Sequence, residues 1–365
     1  MRKKVIVIVL LLLFIGLFGR LIFEVIKWSP IIFQYFFQKE IALKKTEERV
    51  NILFLGIGGG KHDGPLLTDT IIYASIYPKG HKVTLISIPR DLWVPDIEAK
   101  INTAYAIGQD KKKDGGLLLT KTVVEKIFNQ PVDYVLRIDF NGFIKGIDMV
   151  GGVDVDVEKS FEDFEYPISG KEIDTCGYQG EEFEKRASAS AIVEAFPCRY
   201  EHISFQKGLQ HMDGDKALKF VRSRHARGVE GTDFARSQRQ EIVIEAFKEK
   251  AFSVNTLLNP GKLINLYTVF QDSLHTNIRE EEYDDFVKLV RKMQDAAINN
   301  IVFFYTDIYS KEPGILINPP ESEKYRNQWV LIPRLGNGNF SEIQKYVDCE
   351  IKIGNCPISE DFTRE

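Results

Sequence analysis

Residues 51–60, Asn-Ile-Leu-Phe-Leu-Gly-Ile-Gly-Gly-Gly, decide the fold of this chain. A short apolar run that ends in glycine is typical of a buried strand that enters a loop. Residues 70–77 and 82–88 are two further apolar runs, and the turn residues Pro78, Lys79 and Gly80 lie between them. The sequence therefore predicts three strands at the start of a globular region.

Helical and strand patterns alternate along the rest of the chain. We predict helices at 117–128, 140–150, 213–221, 233–252, 260–271, 281–295 and 341–347. We predict strands at 132–139, 152–157, 300–306 and 328–333. This interleaving predicts an α/β (α+β) fold with a central mixed β-sheet flanked by helices.

Residues 158–203 differ in composition and predict an insertion. They are rich in Glu, Gly, Ser and aromatic side chains and contain Cys176 and Cys198, whereas Cys349 and Cys356 form a second local pair. An even number of cysteines in an exported domain favours disulfides. Three pairings are possible, of which 176–198 with 349–356 closes the shortest loops, and we expect an irregular, partly helical insertion.

The amino-terminal residues predict a membrane anchor. A positive start, MRKK, precedes a run from Val5 to Gly19 that has no charged or strongly polar side chain, and apolar residues continue to Phe23. A helix over 5–23 would be about 28 Å long, close to the roughly 30 Å hydrocarbon core of a bilayer. We expect a cytoplasmic start and one transmembrane helix in residues 1–27, and an interfacial linker in 28–49.

A cleaved signal peptide is the alternative for this segment, because the charged start fits both. No small-x-small cleavage site follows the apolar run and bulky side chains continue to Phe37, which favours an uncleaved anchor. The positive start then stays in the cytoplasm, so residues 50–365 lie outside the cell membrane as one extracytoplasmic domain.

Composition limits the function classes. Apolar residues make up 44% and charged residues 27% of the 365, which indicates a folded chain. A mean hydropathy of −0.17 excludes a protein with many membrane spans. The formal net charge of −4 excludes a generally polybasic protein. With an external location, this argues against a transcription regulator, and we expect no nucleic-acid partner.

The glycine loop after the first strand is the first candidate for chemistry. Its backbone N–H groups can approach phosphate, although no Gly-Lys-Ser/Thr of a P-loop is present. Asp63 and Asp69 follow in and after this loop, and their carboxylate oxygens suit Mg²⁺. A plain surface turn is the alternative, because glycine is common there.

Arginine side chains mark the other candidate clusters. Arg90 follows a proline at a predicted strand end, where it can contact phosphate in a bidentate manner or form a salt-bridged turn. Arg222 and Arg224 alternate, so an extended backbone would point both the same way.

A predicted helix carries the last cluster. Arg236 and Gln240 lie four residues apart and share one face, with Asp233 one turn earlier. Including Arg227 and Arg239, five arginines fall within eighteen residues of an acidic protein. An anion pocket explains this arginine-rich composition better than a solvated basic face, which is usually rich in lysine and glutamate.

Seven blocks in order resemble the LytR–CpsA–Psr family. They are NILFLGIGGG…LLTDTII, VTLISIPRDLWVP, KINTAYAIG, DYVLRIDFNGF, MVGGVDVDV, GLQHMDGDKALKFVRSRH and DFARSQRQ. The resemblance implies a membrane-anchored, Mg²⁺-dependent phosphotransferase. Such an enzyme moves a glycopolymer from a polyprenyl-pyrophosphate carrier to a peptidoglycan acceptor through a phosphodiester bond, with the lipid tail in an apolar tunnel.

The resemblance also implies roles for single residues. Asp69 resembles a metal-binding aspartate. Arg90, Arg222 and Arg224 match catalytic arginines that bind pyrophosphate, and Arg236 and Gln240 match further pyrophosphate-binding residues. Asp233 matches the aspartate of the last block, and our hypothesis is that it accepts the proton of the acceptor hydroxyl.

One position departs from the family pattern. Gly58 stands where the family usually has a second metal-binding aspartate, and Asp63 in the longer loop is the candidate replacement. Mg²⁺ needs only one or two carboxylates besides phosphate oxygens and water. A pyrophosphatase acting on the lipid carrier, or a non-catalytic binder of lipid phosphate or cell-wall glycan, stays open, because the same pocket would serve each.

Overall fold

A computed structural model describes residues 41–60, 64–189, 192–251, 273–303, 305–306 and 314–358, without the side chains at 233, 234, 237, 251, 305 and 306. The predicted anchor, Asp63 and the helix predicted at 260–271 lie outside these residues. Within the described ranges, no helix combines the length and the apolar character that a bilayer crossing requires.

Strands begin within three residues of the predicted starts at 51, 70, 82, 132, 152 and 300, but the described chain also contains strands that the sequence did not predict, among them Phe161–Pro167 and Tyr200–Phe205. The described strands are β1 (Val50–Ile57), β2 (Thr68–Tyr77), β3 (Lys82–Ser87), β4 (Trp93–Val94), β5 (Ala99–Lys100), β6 (Tyr134–Asp139), β7 (Val153–Val157), β8 (Phe161–Pro167), β9 (Tyr200–Phe205), β10 (Gly208–Met212), β11 (Leu274–Thr276), β12 (Ala297–Val302), β13 (Tyr305–Thr306), β14 (Leu316–Ile317) and β15 (Ile332–Pro333).

The helices also follow the predicted order. They are α1 (Ala104–Lys111), α2 (Gly115–Phe128), α3 (Phe140–Met149), α4 (Gly180–Ala187), α5 (Ile192–Ala195), α6 (Gly214–Arg222), α7 (Asp233–Ala251), α8 (Tyr283–Lys292) and α9 (Ser341–Lys352). Asp213 caps α6 because its carboxylate accepts a hydrogen bond from the Lys216 backbone N–H at 2.8 Å, as expected for an N-cap aspartate.

Six of the described strands form the central sheet, in the order β11-β6-β1-β2-β3-β12. β1 is parallel to β6 and antiparallel to β2, and β3 is antiparallel to β2 and parallel to β12. The predicted mixed sheet with flanking helices is therefore confirmed.

Alternation along β1 places apolar side chains on both faces of this sheet. Leu53 and Leu55 pack in one core cluster with residues of β2, β3 and α2. Val50 and Ile52 pack on the opposite face with Leu289 of α8. Because successive strand residues point to opposite faces, an almost continuous apolar run is required to cover both.

A second core forms around the two smaller sheets that follow. β7 pairs with β10 and β8 pairs with β9, both antiparallel. The inward side chains of these strands pack with those of α3, α6 and α7. This second layer places the end of α6 and the start of α7 beside the central sheet.

The segment predicted as an irregular insertion is more ordered at its ends than we expected. Residues 161–167 and 200–205 are the paired strands β8 and β9, so the irregular part is confined to what lies between them. Disulfides join Cys176 to Cys198 and Cys349 to Cys356, the pairing with the shortest loops.

Candidate functional site

One edge of the central sheet collects the predicted clusters. β1, β3 and β6 end at this edge and β2 begins there, because β1 and β3 are antiparallel to β2 while β6 is parallel to β1. The glycine loop after Ile57, the Asp69–Thr70 pair and Arg90 therefore meet, although up to 33 residues separate them in the sequence. Ligand sites commonly form where such strand ends converge.

Asp69 and Arg90 form an ion pair at this edge. The register between β1 and β2 shifts so that Gly56 pairs with Thr70 and Ile57 with Thr68, which leaves Asp69 out of the ladder. The Arg90 Nη1 lies 2.5 Å from the Asp69 Oδ1, and its Nε lies 3.4 Å from the Asp91 Oδ2. Asp91 also contacts Lys100 at 2.7 Å. Arg90 thus contacts two carboxylates, and one of them, Asp91, is shared with Lys100.

Arg222 lies between the central sheet and the second layer. Its guanidinium stands 4.1 Å from the ring centre of Phe140, the first residue of α3, and its Nη1 donates to the Tyr166 hydroxyl at 3.2 Å. Burial raises the pKa of the Tyr166 phenol, while the nearby Arg222 charge opposes that shift. The ring on one side and the hydroxyl on the other hold the guanidinium close to the start of α3.

The expectation of an extended backbone at Arg222 is wrong. Arg222 is the last residue of α6, and Ser223 caps this helix with its N–H bonded to the Lys219 carbonyl. Alternation therefore does not align Arg222 with Arg224. The helix continues to Arg222 because its preceding turn buries Leu218 and Val221 in the second core.

Gln240 connects α7 to the central sheet. Its Nε2 donates to the Thr70 Oγ1 at 3.2 Å, across 170 residues of sequence. Arg236 lies one turn earlier on the same helix, as the four-residue spacing predicts, and its side chain is half-buried. Asp233 is the first residue of α7, and its side chain lies outside the described part of the protein.

Arg239 and Arg227 do not behave as members of an anion pocket. Arg239 is 3% exposed and donates to three backbone carbonyls, those of Phe220, Ser223 and Glu230. Desolvation lowers the pKa of Arg239 to about 10, so the side chain stays charged at neutral pH. Arg227 is exposed and lies over the Phe164 ring. The predicted five-arginine pocket is therefore an overestimate.

The sequence did not single out Asp163 and Tyr166, although both contact residues 222–225, which we call the arginine-containing turn. Asp163 is fully buried and its Oδ2 accepts a hydrogen bond from the Ser223 hydroxyl at 2.6 Å. Both residues belong to β8, within the segment that we expected to be irregular. Residues 161–164, Phe-Glu-Asp-Phe, show no apolar–polar alternation, so no local sequence signal marked the buried Asp163.

An apolar strip borders this polar edge. Phe54 pairs with Ile72 in β2 and with Leu136 in β6, so the three side chains share one face with Thr70. Phe54 is 38% exposed although it lies in the centre of the sheet. Ile244 follows Gln240 by one helical turn and is 41% exposed. The strip therefore lies on the sheet face that α7 approaches through the Gln240–Thr70 hydrogen bond.

The donor atoms at the edge suit a hard divalent cation. Asp69 offers a carboxylate and Thr70 offers a hydroxyl, and oxygen ligands of this kind are those that Mg²⁺ prefers. Within the described ranges, the residues that cluster with metal-ligand spacing are Asp174, Cys176 and Cys198, whose two sulfurs form a disulfide. Gly58 supplies no carboxylate, as the sequence already indicates.

The chain is similar to proteins named polyisoprenyl-teichoic acid–peptidoglycan teichoic acid transferases. It is 32% identical over 272 residues to the polyisoprenyl-teichoic acid–peptidoglycan teichoic acid transferase TagU of Oceanobacillus iheyensis, covering 72% of this chain and 69% of that protein. It is 27% identical over 268 residues to TagV of Bacillus subtilis, which carries the same activity name, covering 71% of this chain and 57% of that protein.

Solved structures and a family model agree with this relationship. The crystal structure of Bacillus subtilis TagV matches with a TM-score of 0.53 at 24% identity, over 84% of this chain and 98% of that one. TagT bound to LIIa-WTA matches with a TM-score of 0.53 at 19% identity, over 84% and 94%. These likenesses establish the fold. The family model spans residues 34–324, and the chain therefore belongs to the LytR_cpsA_psr family.

Proposed function

We propose that this protein transfers a glycopolymer from a polyprenyl-pyrophosphate carrier to peptidoglycan and leaves a phosphodiester bond between them. The observation that carries this proposal is the joint position of a cationic sheet edge and an apolar strip. Arg90 and Arg222 supply positive charge at the edge, and Phe54 supplies exposed apolar surface beside it. A lipid diphosphate has an anionic head joined to an apolar tail. The head would bind at the cationic edge and the tail would lie on the apolar strip beside it.

The arginines act as the diphosphate clamp. Arg90, Arg222, Arg224 and Arg236 bind phosphate oxygens, and the Gln240 amide donates a further hydrogen bond. In the reaction, the acceptor oxygen bonds to the phosphorus next to the sugar, and the bond from that phosphorus to polyprenyl phosphate breaks. Fixed cations stabilise the charge that develops on the leaving phosphate, which is a major source of rate in phosphoryl transfer.

Asp233 accepts the proton of the acceptor hydroxyl in this proposal. A carboxylate at the start of α7 would lie one turn before Arg236 and close to the bound phosphates. General bases of this kind contribute roughly 10²–10⁴-fold to a rate. Mg²⁺, held by Asp69 and by Asp63 from the glycine loop, would neutralise phosphate charge when it is bound.

The same proposal places the protein at the cell membrane. Residues 5–23 would cross the bilayer once, with the amino terminus in the cytoplasm and the described domain outside. The polyprenyl tail would then reach the strip formed by Phe54, Leu136 and Ile244 from the bilayer surface. The linker predicted at 28–49 would be shorter than the sequence suggests, because Leu43 already packs in the domain core, so residues 28–40 would separate the domain from the headgroups.

A transfer assay with purified full-length protein tests the proposal. A polyprenyl-pyrophosphate-linked glycopolymer, Mg²⁺ and peptidoglycan fragments are incubated with the protein, and polymer attached to peptidoglycan is quantified. We expect Arg222→Ala to reduce attachment by roughly 10²–10³-fold, because one charged group that stabilises the transition state is removed. Omission of Mg²⁺ with a chelator and the Asp69→Ala variant are expected to reduce it as well.

Arg227→Ala is the matched control, since Arg227 belongs to the same arginine run but is exposed and contacts Phe164. Its transfer rate should stay within about twofold of wild type. Release of polyprenyl phosphate without attached polymer would instead support a pyrophosphatase. Tight binding of the donor without turnover would support a non-catalytic binder and contradict both enzymes.

A further inference from the structure

The turn that carries Arg222 and Arg224 is held by a buried carboxylate from a distant strand. Asp163 of β8 has no exposed surface. Its Oδ2 accepts three hydrogen bonds from this turn, one from the Ser223 hydroxyl at 2.6 Å and one each from the Arg224 and His225 backbone N–H groups at 3.2 Å. Its Oδ1 accepts a fourth from the Glu165 N–H at 2.9 Å.

These hydrogen bonds give the turn little freedom. A buried carboxylate that loses its hydrogen-bond donors is left desolvated and uncompensated, which is strongly unfavourable. The turn can therefore move away from β8 only at that cost. The single bridge between Asp163 and Ala226 extends the contact by one more residue.

Arg239 holds the same turn from the other side. Its Nη2 donates to the Ser223 carbonyl at 2.6 Å, and its Nε donates to the Phe220 carbonyl at 2.9 Å. Ser223 is fully buried, and the charged side chains of Asp163 and Arg239 bind its hydroxyl and its carbonyl. Arg222 is held by helix α6, whereas the backbone N–H of Arg224 binds Asp163 directly, so this anchor determines where Arg224 leaves the backbone.

We propose that Asp163 is a positioning residue of the transferase site, and that it acts through the backbone of residues 223–225. This inference rests on the proposed function, since it requires Arg224 to bind diphosphate. It makes the β8–β9 hairpin, from which the disulfide-closed segment projects, part of the architecture of the site. Sub-ångström placement matters here, because a displacement of about 1 Å can cost roughly 10²-fold in rate.

Affinity for farnesyl pyrophosphate, measured by calorimetry with the full chain, tests the proposal without requiring turnover. Asp163→Asn keeps the size of the side chain but replaces one acceptor oxygen with an amide donor. We expect it to weaken binding by roughly ten- to a hundredfold. In an Arg224→Ala background the same substitution should weaken binding less than about threefold, because coupled residues give non-additive effects.

Glu162→Gln is the matched control, because Glu162 is the preceding residue of β8 and is exposed. Its affinity should stay within about twofold of wild type. If Asp163→Asn does not fold, Ser223→Ala removes the hydroxyl donor alone, and the same loss and the same coupling to Arg224 are expected on a smaller scale.

Two results would overturn the positioning role alone. One is wild-type affinity for both Asp163→Asn and Ser223→Ala; the other is an effect of equal size in the presence and absence of Arg224. A wild-type protein that does not bind the diphosphate would overturn the proposed function and the positioning role together. The failures are therefore distinguishable.

Discussion

Arginines in one short stretch of this chain have different surroundings and different roles. Arg222 is half-buried between Phe140 and Tyr166, Arg239 is enclosed by backbone carbonyls, and Arg227 is exposed. Residue type and spacing predicted a common anion pocket for all three. The difference arises from how deeply the fold buries each side chain. A buried guanidinium must find hydrogen-bond acceptors inside the protein, whereas an exposed one is hydrated.

Glu241, the neighbour of Gln240 on α7, is an ionisable residue with an unusual environment. Desolvation and the nearby Glu245 carboxylate raise the pKa of Glu241 to about 7, while a hydrogen bond with Asn300 of β12 opposes the shift. A second carboxylate, Glu158, adds to the rise. Glu241 therefore binds a proton in the folded state under conditions where the unfolded chain has released it.

We predict that Glu241→Gln stabilises the protein at high pH. A raised carboxyl pKa makes the folded state bind more protons than the unfolded state, so wild-type stability falls as pH rises from about 4.5 through about 7. The variant should match wild type near pH 4.5 and gain about 1–2 kcal/mol by pH 8, discounted because the side chain is only half-buried. Thermal unfolding across this pH range measures the difference.

Glu245→Gln serves as the comparison, since Glu245 is exposed and acts only through its charge on Glu241. It should yield a smaller gain over the same pH range. A Glu241→Gln difference from wild type that does not change with pH would contradict a shifted Glu241.

At the scale of elements, the contact between α3 and α6 positions the arginine-containing turn. Gly214 is the first residue of α6, and its N–H donates to the Asp148 carboxylate at 2.7 Å. A Cβ at this position would lie 2.6 Å from the Ile144 Cα of α3, and closer still to the Ile144 carbonyl oxygen. Only glycine permits the two helix backbones to approach this closely.

We predict that Gly214→Ala destabilises the protein by about 1–3 kcal/mol, since overpacking against backbone atoms forces the helices apart. The displacement should also move Arg222 at the other end of α6 and reduce the affinity for a lipid diphosphate. Thermal unfolding and calorimetric binding measure the two effects.

Gly146→Ala in α3 is the matched control. A Cβ at Gly146 would meet nothing within 4 Å. Alanine inside a helix is more stable than glycine by roughly 0.5–1 kcal/mol, so a small gain in stability is expected. Equal losses for the two variants would show that close helix contact is not the cause.

At the scale of the whole molecule, the two ends of the central sheet carry different groups. The candidate site lies where β1, β3 and β6 end. A cavity of about 520 Å³, lined by residues that include Arg49, Asn51 and Lys345, lies at the opposite end of β1. Its size alone does not indicate function, because the arginine, carboxylate and apolar groups of the proposed chemistry meet at the other edge.

We predict that residues 1–40 hold the protein on the membrane. Full-length protein should sediment with membranes and resist a carbonate wash, whereas a variant that begins at Ile41 should be recovered in the soluble fraction. Ile41 is the suitable start because Leu43 packs in the core with Val50 and Ile52. A burial of about 20 apolar residues in the bilayer accounts for the difference.

The mass of the mature amino terminus provides the control for this experiment. An intact amino terminus is expected of an uncleaved anchor. Recovery of a shortened chain in the soluble fraction, with the apolar segment removed, would instead support a cleaved signal peptide.

The sequence by itself determined many of the local elements and the family to which the chain belongs, but it left three disulfide pairings open, of which the structure shows one. The elements and the family follow from patterns among near neighbours, such as the apolar run of β1 or Asp213 before α6. Only the tertiary structure decided that Asp163 binds Ser223 and that Gln240 binds Thr70, across 60 and 170 residues. Such pairs depend on strand order, register and helix packing, which arise from burial over the whole chain and are not encoded in any one segment.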